Sequence, residues 1–252
     1  MDPLAKAQAE ATRCGLSLER GEQGLALAGD GMALRTDFGE LIPRLKPGRL
    51  QRELLVRAAK VKGAQPDAPP LAVDATAGLG EDALLLAAAG FRVRMFERNP
   101  VMAALLRDAL QRGADDPRLA GIVARMELVA GDSVEALRAM GASGPGEADG
   151  AIEAGEAAKP GGDARPAVVY LDPMFPARRK SAAVKKKFQL LHHLERPCDD
   201  AEALLQAALA AHPRKVVVKR PPKGPHLAGM KPSYALSGKA VRYDVIALPE
   251  RA

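Results

Sequence analysis

From residue 71 onward, short apolar runs alternate with helix-like segments, and four of the runs end on or next to an acid. LAVDA (71–75), FRVRMFE (91–97), MELVAGD (126–132) and AVVYLD (167–172) read as strands, and KVVVKRP (215–221) as a fifth. Between them lie EDALLLAAAG (81–90), closed by Gly90, and PVMAALLRDALQR, opened by Asn99-Pro100 and expected to stop at Gly113. Asn99 is an N-cap side chain, and proline is at home in a first helical turn. AEALLQAALAA (201–211) is helical, and 234–248 looks like two strands around Ser237-Gly238. This alternation predicts a parallel, doubly wound α/β sheet with a terminal hairpin. Ligands of such sheets bind outside the carboxyl ends of the strands. Asp74, Glu97, Asp132 and Asp172 fall at or near those ends. Folding alone does not ask for this, because a buried carboxylate is costly unless paired.

The chain has 252 residues, enough for one large domain with a small appendage. Hydrophobic residues make up 47% but aromatics only 3%, so the core must be aliphatic. Residues 1–66 read as a small N-terminal subdomain or lid, with a hairpin in 24–38 turning at Asp30-Gly31 and a basic, partly helical stretch at 44–63. Residues 67–252 form the main domain. Within it, 141–166 holds seven glycines, five acids and two bases, too little apolar surface to offset its ordering, so a disordered insert is expected. The net charge is +6, and the part outside the insert is more basic still. Such a balance favours an anionic partner, nucleic acid above all. Two distant cysteines and four histidines without metal-ligand spacing predict neither a disulfide framework nor a metal site. The sequence contains no apolar stretch of membrane-spanning length and no signal-peptide pattern, so a cytoplasmic protein without a membrane partner is expected.

DATAGLGEDA (74–83) places Gly78 and Gly80 where a strand becomes a helix, so the backbone passes close to a bound ligand. Ala83 stands where a dinucleotide fingerprint has its third glycine. Glu97, at the end of the next strand, suits both hydroxyls of a ribose, as in a nicotinamide cofactor or S-adenosylmethionine; otherwise it pairs with Arg98. Asp132 suits an adenine amino group, and also suits capping of the helix SVEALRAM.

In YLDPMFP (170–176), Asp172 ends a strand and Pro173 follows at once. Proline removes a backbone donor and leaves nearby carbonyl oxygens free. A carboxylate and a carbonyl together grip the two N–H bonds of an exocyclic amine, and Phe175 stacks on the base that carries it. Hydrogen bonds to those protons localise the nitrogen lone pair, so the spacing suits methyl transfer to a base nitrogen. The run ARRKSAAVKKK follows, and Arg178, Arg179, Lys180, Lys185, Lys186 and Lys187 are placed for phosphate contacts.

The pattern at 172–175 is similar to the [Asp/Asn]-Pro-Pro-[Phe/Tyr] motif of amine-directed methyltransferases, with Met174 for the second proline. DATAGLGEDALLLAAAGFRVRMFERNPVMAALLRDAL, VVYLDPMFP, KSAAVKKK and KVVVKRP together resemble the bacterial ribosomal RNA small subunit methyltransferase J family, over about 71–248 and more loosely 24–63. The resemblance implies a class I, S-adenosylmethionine-dependent, Rossmann-like enzyme that methylates N2 of a guanosine in 16S rRNA, so that its partner is that rRNA or the small ribosomal subunit. It also implies that Glu81 and Asp82 lie at the cofactor loop, beside Asp74, Gly78 and Gly80 of the same motif, with Glu81 standing where the family has arginine. Glu97 and Arg98 would then bind the nucleoside, Asp132 and Ser133 the adenine end, and Asp172 would sit between cofactor and target base with Pro173 and Phe175. Rival readings are an adenine-N6 methyltransferase on DNA or RNA, a nicotinamide oxidoreductase, and a non-catalytic RNA-binding protein.

Overall fold

A computed structural model describes residues 2–62, 68–142, 165–173, 190, 194 and 200–249. Its centre is a seven-stranded sheet made of β4 (Leu71–Asp74), β5 (Arg92–Glu97), β6 (Met126–Ala130), β7 (Val168–Leu171), β8 (Lys215–Arg220), β9 (Tyr234–Ser237) and β10 (Arg242–Ala247). The order across the sheet is β6-β5-β4-β7-β8-β10-β9. The first five are parallel, and β10 runs antiparallel between β8 and β9. This is the doubly wound sheet that the strand–helix alternation predicts, with its hairpin folded back on one edge. The central strands are buried on both faces, which is why they read as unbroken aliphatic runs. Ala72, Val168, Tyr170 and Val217 face one core cluster, while Val73, Val169, Leu171, Val216 and Val218 face the other.

The flanking helices are α5 (Glu81–Ala88), α6 (Pro100–Asp115), α7 (Ala120–Val123), α8 (Ser133–Ala142) and α9 (Ala201–Ala210). Asn99 caps α6 as expected, its Oδ1 accepting from the backbone of Val101 at 2.9 Å. The helix does not stop at Gly113: it runs on to Asp115 with Gly113 buried inside it. A Cβ there would stand 2.9 Å from Val123, so this glycine serves the contact between α6 and α7 and not a helix end. Helix α8 likewise continues two residues into the glycine-rich stretch, where a Cβ on Gly141 would stand 2.1 Å from the carbonyl oxygen of Ala210. Residues 143–164, the bulk of the expected insert, lie outside the described residues.

Ahead of the large sheet come α1 (Pro3–Arg13), then β1 (Ser17–Gly21), β2 (Gly24–Gly29) and β3 (Met32–Leu34), an antiparallel sheet of their own. The turn between β2 and β3 falls at Asp30-Gly31, both with positive φ (50° and 69°), the hairpin geometry that the dipeptide predicts. α1 and β2 pack on α6. Asp108 of α6, 4% exposed, secures that contact: it accepts from the Leu25 backbone at 3.0 Å and meets Arg112 at 2.8 Å and Arg20 at 3.0 Å. Three short helices follow, α2 (Ile42–Leu45), α3 (Pro47–Leu50) and α4 (Leu54–Ala59), with α4 against α5 and the edge of the large sheet.

Candidate active site

The strand order reverses between β4 and β7, because the chain fills positions on one side through β5 and β6 and then crosses to the other. That switch point is where a doubly wound sheet opens a crevice. The turns leaving β4 and β7 are tied together there. The Ala75 N–H donates to the Tyr170 carbonyl at 3.0 Å, and the Asp172 N–H donates to Thr76 Oγ1 at 2.7 Å. Asp74 and Asp172 therefore flank one gap, with Pro173 buried just beyond.

The loop from β4 to α5 is shaped by its glycines. Gly78 and Gly80 have φ of 54° and 75°. Gly80 is also pressed against α6, since a Cβ on it would lie 2.5 Å from Leu106 Cδ1. Two changes of backbone hand in three residues turn the chain from strand to helix with little side chain in the way. Glu97, half-buried at the end of β5, braces this loop. Its Oε2 accepts from the Gly78 N–H and its Oε1 from the Asn99 N–H, both at 2.8 Å. A carboxylate has about four lone-pair sites, so acceptor capacity remains for a ligand. Burial pushes the Glu97 carboxyl upward, opposed by the backbone donors of Asn99, Gly78 and Arg98 and by the Arg98 charge. Asp132, exposed after β6, caps α8 by accepting from the Val134 N–H at 2.7 Å, and Ser133 beside it is buried. Capping uses one oxygen of Asp132 and leaves the other.

Asp74 is 1% exposed. Burial pushes its carboxyl up to about 8, against the pull of the Thr76 N–H, which it accepts at 3.0 Å. Asp74 is therefore mostly protonated at neutral pH and acts as a fixed polar post more than as a charge. Asp172 is the more exposed of the two, and its carboxylate meets Lys219 at 2.9 Å. Burial pushes the Asp172 carboxyl up and the ammonium of Lys219 pulls it back.

Three participants are absent from the sequence reading. Thr76 joins the two turns, Lys219 pairs with Asp172, and Tyr170 donates its hydroxyl to Asp82 at 2.6 Å. Lys219 carries a visible signal, a lysine inside the apolar run VVVKR, but nothing in the spacing says what it meets. Of the residues singled out from the sequence, Asp74, Gly78, Gly80, Glu81, Asp82, Glu97, Arg98, Asp132, Ser133, Asp172 and Pro173 all lie along the carboxyl edge from β6 to β7. Phe175, Arg178, Arg179, Lys180, Lys185, Lys186 and Lys187 lie outside the described residues. Among the described residues no group of three or more His, Cys, Asp or Glu could hold a metal, and no helix is long and apolar enough to cross a membrane.

The profile of a family described as putative SAM-dependent methyltransferases matches residues 7–248. The ribosomal RNA small subunit methyltransferase J of Pseudomonas aeruginosa (strain LESB58) is 45% identical, covering 90% of this chain and 79% of its own. The protein of that name from Pseudomonas fluorescens (strain SBW25) is 42% identical, covering 96% and 85%. In Pseudomonas savastanoi pv. phaseolicola the identity is 48% over 74% of this chain, and the match spans 62% of the relative's length. Among solved structures, a SAM-dependent methyltransferase from Neisseria gonorrhoeae superposes with a TM-score of 0.65 at 30% identity, over 90% of this chain and 81% of that one.

Proposed function

Because the chain belongs to the family of SAM-dependent methyltransferases that includes the ribosomal RNA small subunit methyltransferase J proteins, we propose that it methylates the exocyclic N2 of a guanosine in 16S ribosomal RNA. The observation that carries this reading is the carboxylate of Asp172 at the switch point, tied by its backbone to Thr76 of the glycine loop and followed at once by Pro173.

The residues present fit S-adenosylmethionine. Gly78 and Gly80 clear the backbone for close approach, and the N-terminus of α5 has no side-chain cap, which leaves its first N–H groups available. Glu97 would hold the ribose hydroxyls with its remaining lone pairs, beside Arg98. Asp132 and Ser133 would meet the adenine, and Asp74, Glu81 and Asp82 would line the loop. When bound, the cofactor supplies an electrophilic methyl group on a positively charged sulfur. The remaining work is positioning, which brings reactants into line and lowers the barrier by pre-paid entropy. Asp172 accepts an N–H of the target amine, raises the electron density on the nitrogen, and is placed to take the proton that the nitrogen sheds as its new bond to carbon forms. Phe175 stacks on the guanine, and the basic run 178–187 takes the RNA backbone. A base in an RNA loop is unstacked at a cost of a few kcal/mol at most.

Purified protein incubated with labelled S-adenosylmethionine and either 16S rRNA or DNA, followed by mass spectrometry of the nucleosides, tests the reading. N2-methylguanosine from the rRNA is the expected product. N6-methyladenosine, or label in DNA, would replace it with the adenine-directed alternative. RNA binding without cofactor binding in a calorimetric titration would leave a non-catalytic protein.

A further inference from the structure

Lys219 is the next-to-last residue of β8, with its side chain only 25% exposed. Its ammonium lies 2.7 Å from Asp82 Oδ2, at the start of α5, and 2.9 Å from Asp172 Oδ2, at the end of β7. The same oxygen of Asp82 accepts the hydroxyl of Tyr170, a fully buried ring that packs 6.5 Å from Tyr243. The strand does not need this lysine for its core, because Val216, Val217 and Val218 already fill both faces. Taking three charges partly out of water is expensive, and apolar replacements for such groups are often neutral or stabilising. The cluster therefore calls for a reason other than folding.

We propose that Lys219 is a positioning residue for methyl transfer: anchored through Asp82 and Tyr170, its ammonium holds the Asp172 carboxylate ionised and in one orientation for the target amine. This rests on the reading of Asp172 given above. A protonated Asp172 could neither take the amine's proton nor accept a strong hydrogen bond from it. The groups that act on Asp172 are Lys219 and Arg220 from β8, Asp82 from α5, Asp74 from β4, Tyr170 from its own strand and Tyr243 from β10. Burial favours protonation of Asp172, the neighbouring acid Asp82 adds to this, and Lys219 is the chief influence the other way. Burial also works to discharge Lys219, but its two carboxylate partners hold it firmly cationic. Asp82 serves as the fixed end of the bridge, since it sits on the helix that the glycine loop begins.

The test compares Lys219→Met with Lys219→Arg. Asp172 is titrated by carbon-13 NMR of the aspartate carboxyls in the protein without RNA, its signal assigned by its loss in Asp172→Asn. Single-turnover methyl transfer to 16S rRNA is then followed from acid to alkaline pH. An opposite charge this close lowers a carboxyl by about 1–3 units, so the Asp172 midpoint in Lys219→Met should rise by that order. The acid limb of the rate profile should move up by the same amount, so that activity partly returns as the pH is raised. Cofactor affinity and KM for RNA should change by less than about threefold, since the loss falls on the reacting geometry. Lys219→Arg should restore both the midpoint and the rate. An unmoved Asp172 midpoint, or a rate deficit equal at every pH, overturns the proposal. If the methionine variant does not fold, Lys219→Gln carries the same comparison. Absence of methyl transfer by the wild type would remove the functional reading and leave the carboxyl titration standing. Normal transfer with an unmoved midpoint would remove this proposal alone.

Discussion

Four acids sit at strand ends, yet their surroundings separate their roles. Glu97 has both oxygens engaged by backbone N–H groups, so it is part of the loop's frame as well as a candidate cofactor ligand. Glu97→Gln keeps the shape but removes the charge and one acceptor. A charge-assisted hydrogen bond contributes about 1.5–3 kcal/mol, so the dissociation constant for S-adenosylmethionine should rise roughly tenfold to a hundredfold. A calorimetric constant equal to wild type would mean that Glu97 only braces the loop. Asp74 makes a different prediction, about pH. Burial raises its carboxyl from the ordinary 3.8 to about 8. Between those values the folded protein keeps a proton that the unfolded chain has released, so this group makes stability fall as pH rises through that window. Asp74→Asn cannot titrate and should flatten the fall. Urea denaturation at several pH values from 5 to 8 decides the matter; the same slope in both proteins would show that Asp74 ionises normally.

At the scale of elements, the start of α5 is the most constrained point of the fold. Gly80 has φ of 75°, and the space a side chain would fill is already occupied by Leu106 of α6 and, at 3.4 Å, by Phe38. Gly90, after the same helix, has φ of 100° but open space around it. Gly90→Ala should therefore cost only the backbone strain, about 1 kcal/mol. Gly80→Ala adds overpacking at a helix–helix contact and should cost about 1–3 kcal/mol more. The midpoints of chemical denaturation for the two variants measure the difference, and equal losses would show that Leu106 gives way freely. Helix α1 shows why some elements escape a reading of hydrophobic periodicity. Its buried positions are Ala7 and Ala11, one helical turn apart, and two small methyl groups make a weak apolar stripe. Strand β1, SLERG, has no buried residue and exists because β2 pairs with it along its whole length.

For the whole molecule, the question is how a basic protein meets an RNA. The stretch 44–62 runs from the site toward the amino edge of the sheet: Arg44 bonds Glu53 at 2.9 Å and interacts electrostatically with Asp82, while the Lys62 carbonyl accepts from Arg214, just ahead of β8, at 2.8 Å. Lys46, Arg49, Arg52, Arg57, Lys60 and Lys62 are exposed along it. The run 178–187 is the other basic segment of the sequence, and the proposed function assigns the RNA path to it. Changing Lys185, Lys186 and Lys187 to alanine removes up to three phosphate contacts, each contributing about 0.7–0.9 to the slope of log affinity against log salt. The slope should fall by up to about two to three, with cofactor binding unchanged. Identical salt series for wild type and variant would shift the RNA path to 44–62.

Much of the architecture was legible along the chain, because parallel strands buried on both faces leave continuous aliphatic runs, and because caps and turns such as Asn99-Pro100 and Asp30-Gly31 are local chemistry. The acids at the strand ends were legible for the same reason: each is set by its own strand. Strand order was not, since nothing local says that β7 crosses to the far side of β4 or that β10 inserts between β8 and β9. Nor was the nature of Gly113, where absence of a side chain looks the same whether it ends a helix or admits Val123. The Tyr170–Asp82–Lys219–Asp172 bridge is the clearest case. Its bonds join residues 88 and 137 positions apart, so spacing along the chain carries no trace of them. Sequence alone determined that Asp74, Glu97, Asp132 and Asp172 reach the carboxyl edge of the sheet. Only the tertiary structure decided which of them touch, because charges meet through the order in which strands pack and not through the order in which they are synthesised.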